Sequence, residues 1–310
     1  MTIAILGTGA CLPEHRVDND QAGAAAGVDH EWILRKTGIR RRRWAPDGLA
    51  NADLATEAAR AALSRAGVPA DRVGLIVVAT STPDQTQPPT AATVQHRLGA
   101  TAAAAFDLNA VCSGFVFALA TAARMIAGTG GYALVIGADI YSRILDHTDR
   151  RTVVLFGDGA GAALLGPAPA PGRGLIATRL HTFGEHRDLI EVPPGGHFTM
   201  QGRAVREFVT GRVPGLVRDF LDEARVPAAS VRHIVAHQAN GVMLDELISA
   251  LDLPGAVAHR TVETLGNTGA ASVPITLDSA DRRGLLGPGD RTLLVAFGGG
   301  MAVGLALLDR

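Results

Sequence analysis

The sequence predicts an α/β fold that consists of two similar halves. Short apolar runs rich in β-branched residues alternate with longer segments at helical spacing, which indicates parallel sheets covered by helices on both faces. The stretch VPADRVGLIV at residues 68–77 recurs as VPAASVRHIV at residues 226–235, each time after a helical segment. The clearest linker, residues 167–174, lies between the copies. We therefore expect an N-terminal half at residues 1–166 and a C-terminal half at residues 174–310.

Composition describes an ordinary globular chain and argues against several functional classes. Of 310 residues, 47% are hydrophobic and 19% are charged, and a net charge of −1 offers no general surface for nucleic acid or a membrane. No uninterrupted apolar stretch reaches the roughly 18 residues of a transmembrane helix, and the N-terminus lacks the basic start of a signal peptide. Two cysteines imply no disulfide framework, so we expect a cytoplasmic protein.

The elements of the N-terminal half follow from local patterns. Residues 3–9 form a strand, and the Gly-Thr-Gly at its end lacks the third glycine of a dinucleotide-binding fingerprint. Residues 52–66 have helical spacing, with Asn51 placed to cap the helix and Gly67 placed to end it. The other predicted elements are a strand at 73–80, a helix at 90–98, a buried strand at 102–108, a helix at 115–126, a strand at 133–137 and a closely packed central strand at 155–165.

The C-terminal half repeats this order of strands and helices. A helix is predicted at residues 213–224, before a strand that ends in His237. A helix around Arg282 and a strand at 293–297 then correspond to the helix and strand that follow residue 114 in the first half. The repeat therefore predicts which turns of the two halves are equivalent.

Three side chains suited to chemistry lie at turns that follow predicted strands. Cys112 precedes the helix at 115–126, so its sulfur would lie at a helix N-terminus, where the dipole favours a nucleophilic thiolate. A buried cysteine is otherwise usually an inert small hydrophobe. His237 ends a strand, and the turn equivalent to that of Cys112 carries Asn267. Because open α/β sheets bind ligands at the carboxyl ends of their strands, we expect the three to converge between the halves.

A basic run at residues 40–43 follows Trp32. Such a run is most often a solvated face. A tryptophan beside arginines can also hold an adenine ring and phosphates, and the residues alone leave both interpretations open.

Six stretches together resemble the β-ketoacyl-acyl-carrier-protein synthase III family of thiolase-fold condensing enzymes. They stand in the family's order and near its spacing, at residues 32–40, 110–114, 149–163, 237–240, 266–274 and 297–300. The resemblance implies a thiolase-like, five-layered αβαβα fold with two pseudo-symmetric halves, and a homodimer. It also implies that Cys112 accepts the acyl group, that His237 and Asn267 complete a triad, and that the backbone N–H groups of Cys112 and Gly299 form an oxyanion hole.

The resemblance also assigns the substrate path. Trp32 and Arg150 match positions that hold the adenine of coenzyme A, and Gly202 and Asn240 match positions along its pantetheine arm. The acyl pocket would be formed by Gln87, which a dimer partner usually contributes, and Phe297.

The implied reaction is a decarboxylative Claisen condensation, in fatty-acid initiation or in polyketide or other secondary metabolism. An acyl-CoA acylates Cys112, a malonyl thioester on coenzyme A or a carrier protein loses CO2, and its enolate attacks the acyl group. Neither a metal nor a cofactor is implied beyond the coenzyme A thioesters that serve as substrates. Acyl transfer to an oxygen or nitrogen nucleophile is an alternative, disfavoured by Asn267, and a non-catalytic partner subunit is disfavoured by Cys112.

The sequence departs from the family where a carrier protein usually docks. The basic residues common there are replaced by Val242, Glu207, Ser249 and Ala250. Rim charges mainly set association rates. We therefore expect the second substrate to be a coenzyme A thioester, or a carrier bound elsewhere, with residues 40–43 as the alternative patch.

Overall fold

A computed structural model describes residues 2–128, 130–170 and 172–309. The strands are β1 Ile3–Cys11, β2 Arg16–Asp18, β3 Arg41–Arg43, β4 Val73–Ala79, β5 Ala104–Leu108, β6 Tyr132–Asp139, β7 Gly159–Pro167, β8 Gly174–Thr182, β9 Ile190–Glu191, β10 Thr199–Met200, β11 Val231–Ala236, β12 Val257–Ala258, β13 Arg291–Gly298 and β14 Ala302–Asp309. The helices are α1 Asn19–Gly23, α2 His30–Thr37, α3 Asn51–Ala66, α4 Thr90–Leu98, α5 Gly114–Ile126, α6 Gly202–Glu223, α7 Gly241–Ala250, α8 Val262–Leu265 and α9 Ser272–Arg282.

Two five-stranded sheets share one topology. The first has the order β1-β7-β6-β4-β5 and the second the order β8-β14-β13-β11-β12. In each sheet the first two neighbouring pairs are antiparallel and the last two are parallel. This equivalence follows the internal repeat of the sequence, and the predicted α/β class is confirmed. Because the sheets are equivalent, the carboxyl ends of β4 and β11 occupy corresponding positions.

Helices α5 and α9 lie between the sheets and are buried on both sides. One apolar cluster joins α5 and α9 to β4 and β6 of the first sheet and to β11 and β13 of the second. Helix α3 packs on the outer face of the first sheet, and α6 and α7 pack on the outer face of the second. Burying one Phe or Leu side chain fully stabilises the fold by about 1.5–3 kcal/mol. Both faces of each sheet are apolar, so helices cover both faces and five layers result.

Two local predictions about these elements are wrong. Asn51 is the first residue of α3 and does not cap it; the backbone N–H groups of Asn51 and Ala52 donate to Asp84 instead, at 2.6 and 2.9 Å. The strand predicted to be buried, β5, is an edge strand and is partly exposed along its length, because no strand of the described residues pairs with its free edge. Gly67 ends α3 in the left-handed conformation, as predicted, with φ of 65°.

The basic run at residues 40–43 is only partly a surface. Arg42 is fully buried, and its guanidinium donates to Asn19 Oδ1 at 2.8 Å and to Val154 O at 2.7 Å. Burial lowers the pKa of Arg42 to about 10, so the side chain stays charged at neutral pH. Arg43 donates to the carbonyls of Pro13 and Glu14. Strand alternation turns Arg42 inward, and hydrogen bonds hold Arg43, so two of the four arginines have structural roles and the predicted patch is smaller than expected.

No helix within residues 2–128, 130–170 and 172–309 is long and apolar enough to cross a membrane.

Candidate active site

The segments that follow β5 and β11 and the carboxyl end of β13 line a cavity of about 280 Å³ between the two halves. Cys112, His237 and Asn267 all line it, so the structure brings together the three side chains that the sequence singles out. The lining also includes Trp32, Lys36, Arg150, Arg151, Phe156, Phe198, Gly202, Arg206, Asn240, Val242, Phe297 and Gly298.

Cys112 lies in a single 3₁₀ turn, residues 111–113, that leads directly into α5. The preceding Val111 has a φ of 48°, an unfavourable value for a β-branched residue, and its N–H donates to Asn109 Oδ1 at 3.0 Å. Gly298 at the end of β13 packs against this turn, where an added Cβ would lie 2.7 Å from Cys112 N. The strained turn and the missing side chain at Gly298 together set the position of the sulfur.

The Cys112 thiol is not ionised in the resting chain. Its burial, and second the charge of Asp139, raise the pKa of the thiol to about 12. The expectation that the helix N-terminus favours a thiolate is therefore wrong for the unliganded protein, because desolvation penalises the charged form more strongly. The proton must leave when the sulfur reacts.

His237 is buried, and burial lowers the pKa of its imidazole to about 3, so the ring is neutral at physiological pH. Its Nδ1 lies 2.6 Å from Ser272 Oγ, which in turn accepts the N–H of Gln238. We assign the Ser272 hydroxyl as the donor to Nδ1, which places the imidazole proton on Nε2. Phe297 packs edge-on against the ring at 5.0 Å between centroids. The imidazole is therefore a fixed, neutral N–H donor.

Asn267 is held through its backbone and its amide oxygen. Its N–H donates to Leu155 O at 2.8 Å, and its C=O accepts from Gly157 N at 2.9 Å. The side-chain Oδ1 accepts from Gly269 N at 3.0 Å. With the oxygen engaged, the amide NH₂ is the group that Asn267 can offer to a ligand in the cavity it lines.

The residues predicted to hold coenzyme A lie along the same cavity. Arg150 on a loop stacks over the ring of Trp32 in α2, with its guanidinium carbon 5.8 Å from the centroid. Gly202 is the first residue of α6. Asn240 caps α7, where its Oδ1 accepts from Val242 N at 2.9 Å. The Asn240 side chain therefore has a structural role besides any contact with substrate.

Two predicted site residues do not line the cavity of this chain. Gln87 is exposed on the loop before α4, so it could reach an acyl pocket only in a second copy. Gly299 follows the lining residue Gly298, and an added Cβ there would lie against Ile190 and Val111. Its part in an oxyanion hole stays a prediction.

Cations surround the open end of the cavity, which we call the mouth: Lys36, Arg150, Arg151 and Arg206 are exposed and line it. Arg206 donates to Glu246 and Arg151 to Asp149. The acid predicted at the docking surface, Glu207, accepts from Arg203 at 2.9 Å.

An aromatic cluster behind Cys112 is missing from the sequence-based site. The rings of Tyr141 and Phe156 stack with centroids 4.5 Å apart, and Phe198 packs edge-on against both. The Tyr141 hydroxyl lies 2.8 Å from Ser81 Oγ. Tyr141 follows β6, whose carboxyl end lies beside that of β4, and this position is the signal that could have identified it. Among the described residues, no three His, Cys, Asp or Glu side chains are placed to share a metal ion.

Comparison with known proteins agrees with this geometry. Residues 106–184 match the family 3-Oxoacyl-[acyl-carrier-protein (ACP)] synthase III, and residues 221–310 match its C-terminal family. Acetoacetyl CoA synthase NphT7 of Streptomyces sp. (strain CL190) is 59% identical over 98% of both chains. Beta-ketoacyl-[acyl-carrier-protein] synthase III of Rhodospirillum centenum is 46% identical over 98% of both. The crystal structure of 3-oxoacyl-(acyl carrier protein) synthase III from Pseudomonas aeruginosa PAO1 superposes with a TM-score of 0.93 at 38% identity, covering 100% of this chain and 98% of that one.

The chain belongs to the 3-oxoacyl-[acyl-carrier-protein] synthase III family, with the thiolase-like fold of that family. It is a condensing enzyme of the kind that serves fatty-acid or polyketide biosynthesis. The predictions of family, fold and general function are confirmed.

Proposed function

We propose that this enzyme joins an acetyl group carried on Cys112 to the two-carbon enolate of malonyl-CoA, and releases acetoacetyl-CoA. In this proposal the Cys112 sulfur attacks acetyl-CoA, and the backbone N–H groups of Cys112 and Gly299 hold the oxyanion. His237 Nε2–H and the Asn267 amide then stabilise the enolate that forms when malonyl-CoA loses CO2. No metal or redox cofactor takes part, because neutral hydrogen-bond donors hold the developing charge.

The observation that carries the short acyl group is the aromatic cluster at Cys112. Phe156 and Phe198 line the cavity together with Cys112, and Tyr141 stacks on Phe156 from behind. The whole cavity, about 280 Å³, must hold both the acyl group and the pantetheine arm that delivers it. A longer acyl chain would have to displace packed rings. The name of the relative from Streptomyces, an acetoacetyl CoA synthase, agrees with a two-carbon acyl group.

The mouth supports coenzyme A as the carrier of the second substrate as well. Lys36 and Arg150 are exposed cations beside the Trp32 ring and suit the phosphates and adenine of coenzyme A. The cations that would meet an acidic carrier protein are absent at Val242, Ser249 and Ala250, and Glu207 is paired with Arg203. A coenzyme A product follows if the extender is bound to coenzyme A.

The proposal is tested with a panel of acyl-CoAs from C2 to C8 and with malonyl-CoA against malonyl bound to a generic fatty-acid carrier protein. We expect acetyl-CoA to acylate Cys112 fastest and malonyl-CoA to give acetoacetyl-CoA, detected by mass spectrometry. Phe198→Leu makes the cluster smaller without removing it. It should lower the ratio of the acylation rates with C2 and C6 acyl-CoAs by about tenfold, which corresponds to about 1.4 kcal/mol of activation free energy.

Leu180→Ile, a matched change far from the cavity, serves as the control and should leave that ratio unchanged. A strong preference for the carrier-bound malonyl group at both low and moderate salt would contradict the choice of coenzyme A. Equal acylation by C2 and C8 groups would contradict the role of the aromatic cluster.

We further propose that the protein is cytoplasmic and that its two halves span residues 1–166 and 174–310. Two copies of the chain would form a homodimer along β5. The free edge of β5 offers unpaired backbone groups, and the exposed loop with Gln87 would then face the partner's cavity. Light scattering after gel filtration should give twice the mass of one chain at micromolar concentration. The mass of a single chain would refute the dimer.

A further inference from the structure

The turn that carries Asn267 repeats the geometry of the turn that carries Cys112. We call residues 109–113 the nucleophile turn and residues 267–271 the sister turn; each leads into a helix that is buried between the sheets, α5 or α9. In both turns an asparagine at the first position accepts, through its side-chain oxygen, from the N–H two residues later at 3.0 Å. The third position has left-handed backbone in both, with φ of 48° and 58°. Ala270 at the fourth position of the sister turn is therefore the counterpart of Cys112.

The strand ends that pack on the two turns are also equivalent, but their last residues differ. Strand β6 ends at Asp139 and meets the sister turn, whereas β13 ends at Gly298 and meets the nucleophile turn. The two strands pair with β4 and β11 in the same register. Gly298 has no side chain, and an added Cβ there would lie 2.7 Å from Cys112 N. Asp139 stands at the equivalent position, and its Oδ2 accepts from Ala270 N at 2.8 Å.

The carboxylate oxygen of Asp139 thus takes the place that an oxyanion would take if the sister turn carried a thioester. In the proposed mechanism the N–H of Cys112 donates to the oxyanion of the reacting acyl group. The equivalent N–H of Ala270 donates to Asp139 in the resting chain. Both Asp139 and Ala270 are completely buried, so no substrate reaches this position. The bond between them can therefore serve only to hold the sister turn.

The other oxygen of Asp139 is anchored on the N-terminal half. Oδ1 accepts from Ser81 N and Thr82 Oγ1 at 2.9 Å, and from Thr80 Oγ1 and Ser81 Oγ at 3.2 Å. Burial raises the pKa of Asp139 to about 6, so the group is mostly ionised at pH 7. Hydrogen bonds to an ionised acceptor are stronger than those between neutral groups. The carboxylate therefore ties the sister turn of one half to the segment that follows β4 in the other half.

Two glycines permit the close contact between β6 and the sister turn. An added Cβ at Gly137 of β6 would lie 2.3 Å from Ala270 O, and an added Cβ at Gly269 would lie 2.3 Å from Asp139 Oδ2. Any side chain at either position would push the turn away from the carboxylate. The backbone around this hydrogen bond is therefore shaped to keep it short.

We propose that Asp139 is a positioning residue for Asn267, because its bond to Ala270 N fixes the turn that holds the Asn267 amide at the cavity. The amide moves with the turn, since Asn267 Oδ1 accepts from Gly269 N within it. The inference rests on the proposed function, in which the Asn267 NH₂ stabilises the enolate of the extender. Acetylation of Cys112 does not depend on that donor.

Asp139→Leu tests the role, because leucine is close to aspartate in shape but accepts no hydrogen bond. We expect CO2 release from malonyl-CoA at pH 7 to fall by about 10–10²-fold, as a displaced catalytic group commonly costs. Acetylation of Cys112, followed by mass spectrometry, should be at least as fast as in wild type, because the charge of Asp139 raises the pKa of the thiol. Slow acetylation with normal CO2 release would overturn the proposal.

Asp139→Asn should recover most of the CO2 release. Its amide oxygen can accept from Ala270 N, and its NH₂ can donate to the hydroxyl groups of residues 80–82, which are able to accept. The negative charge is lost in this variant and the bond to the sister turn is kept. A loss as large as that in Asp139→Leu would contradict the role of the bond.

A double-mutant cycle shows whether Asp139 acts through Asn267. If it does, Asp139→Leu should lower CO2 release no further when it is added to Asn267→Ala, because the group that it positions is already absent. Losses that multiply in the double variant would overturn the proposal. Asp139→Ala, which leaves space instead of filling it, takes the place of the leucine variant in this cycle if that variant does not fold.

Ser81→Ala is the matched control, because it removes one donor from Oδ1 and leaves the bond to Ala270 in place. It should release CO2 at the wild-type rate. An equal loss in Ser81→Ala and Asp139→Leu would show that any damage to this buried cluster is enough, and would overturn the specific role of the bond.

A signal of Asn267 itself separates this inference from the proposed function. The chain has five asparagines, so the side-chain NH₂ resonances of nitrogen-15-asparagine-labelled protein can be assigned, that of Asn267 by its loss in Asn267→Ala. It should shift or broaden in Asp139→Leu and stay unchanged in Ser81→Ala. Wild-type CO2 release by Asn267→Ala would contradict the proposed function alone, whereas an unchanged Asn267 resonance in Asp139→Leu would overturn the positioning role.

Discussion

We expect Cys112→Ala to abolish acylation of the protein by acetyl-CoA and to lower the rate of condensation by at least about 10⁴-fold. The reason is positional as well as chemical. The sulfur lies at the start of α5 on the cavity, next to the backbone of Gly298, and alanine offers no nucleophile there. Intact-protein mass spectrometry after incubation with acetyl-CoA should show a mass shift for wild type and none for the variant.

Cys11→Ala is the control for this result, since Cys11 is the other of the two cysteines. It ends β1, away from the cavity. Its acylation should equal that of wild type. A mass shift that persists in Cys112→Ala and maps to Cys11 or to Ser113 would refute the assignment of the nucleophile. Matching thermal unfolding of the two variants would exclude misfolding as the cause of the loss.

The positions of Cys112, His237 and Asn267 could be predicted because they depend on topology. Each follows a strand or the equivalent turn of a repeat, and parallel strands bring their carboxyl ends to one edge. Asp139 follows the same rule, since it is the last residue of β6. Side chains at the ends of strands can therefore be placed from the internal repeat of the sequence and the spacing of its apolar residues.

Features that depend on packing between distant segments could not be predicted in this way. The pKa of the Cys112 thiol is raised first by its burial and second by the charge of Asp139, and both depend on how distant segments pack. Arg42 looks like its exposed neighbours in a basic run, but β3 directs it inward toward Asn19. Gln87 lies outside the cavity of this chain, and its predicted place in an acyl pocket stays a prediction.

We expect His237→Ala and Asn267→Ala each to lower the release of CO2 from malonyl-CoA by about 10²–10³-fold, while Cys112 is still acetylated. Decarboxylation places negative charge on an enolate oxygen, and a fixed neutral donor stabilises that charge at no reorganisation cost. His237 offers Nε2–H because Ser272 holds Nδ1, and Asn267 offers its NH₂ because Gly269 holds Oδ1.

Asn267→Asp sharpens the test of this pair, because it keeps the shape of the side chain but puts a carboxylate where the amide donor was. Repulsion of the enolate should make CO2 release at pH 7 as slow as in Asn267→Ala, or slower.

The pKa of His237, about 3, predicts that the wild-type rate of CO2 release shows no histidine titration between pH 5 and 8. His259→Gln, a buried histidine bonded to His233 and away from the cavity, is the matched control and should release CO2 as wild type does. Normal CO2 release by His237→Ala together with lost acetylation of Cys112 would show that these residues serve the first half of the reaction instead.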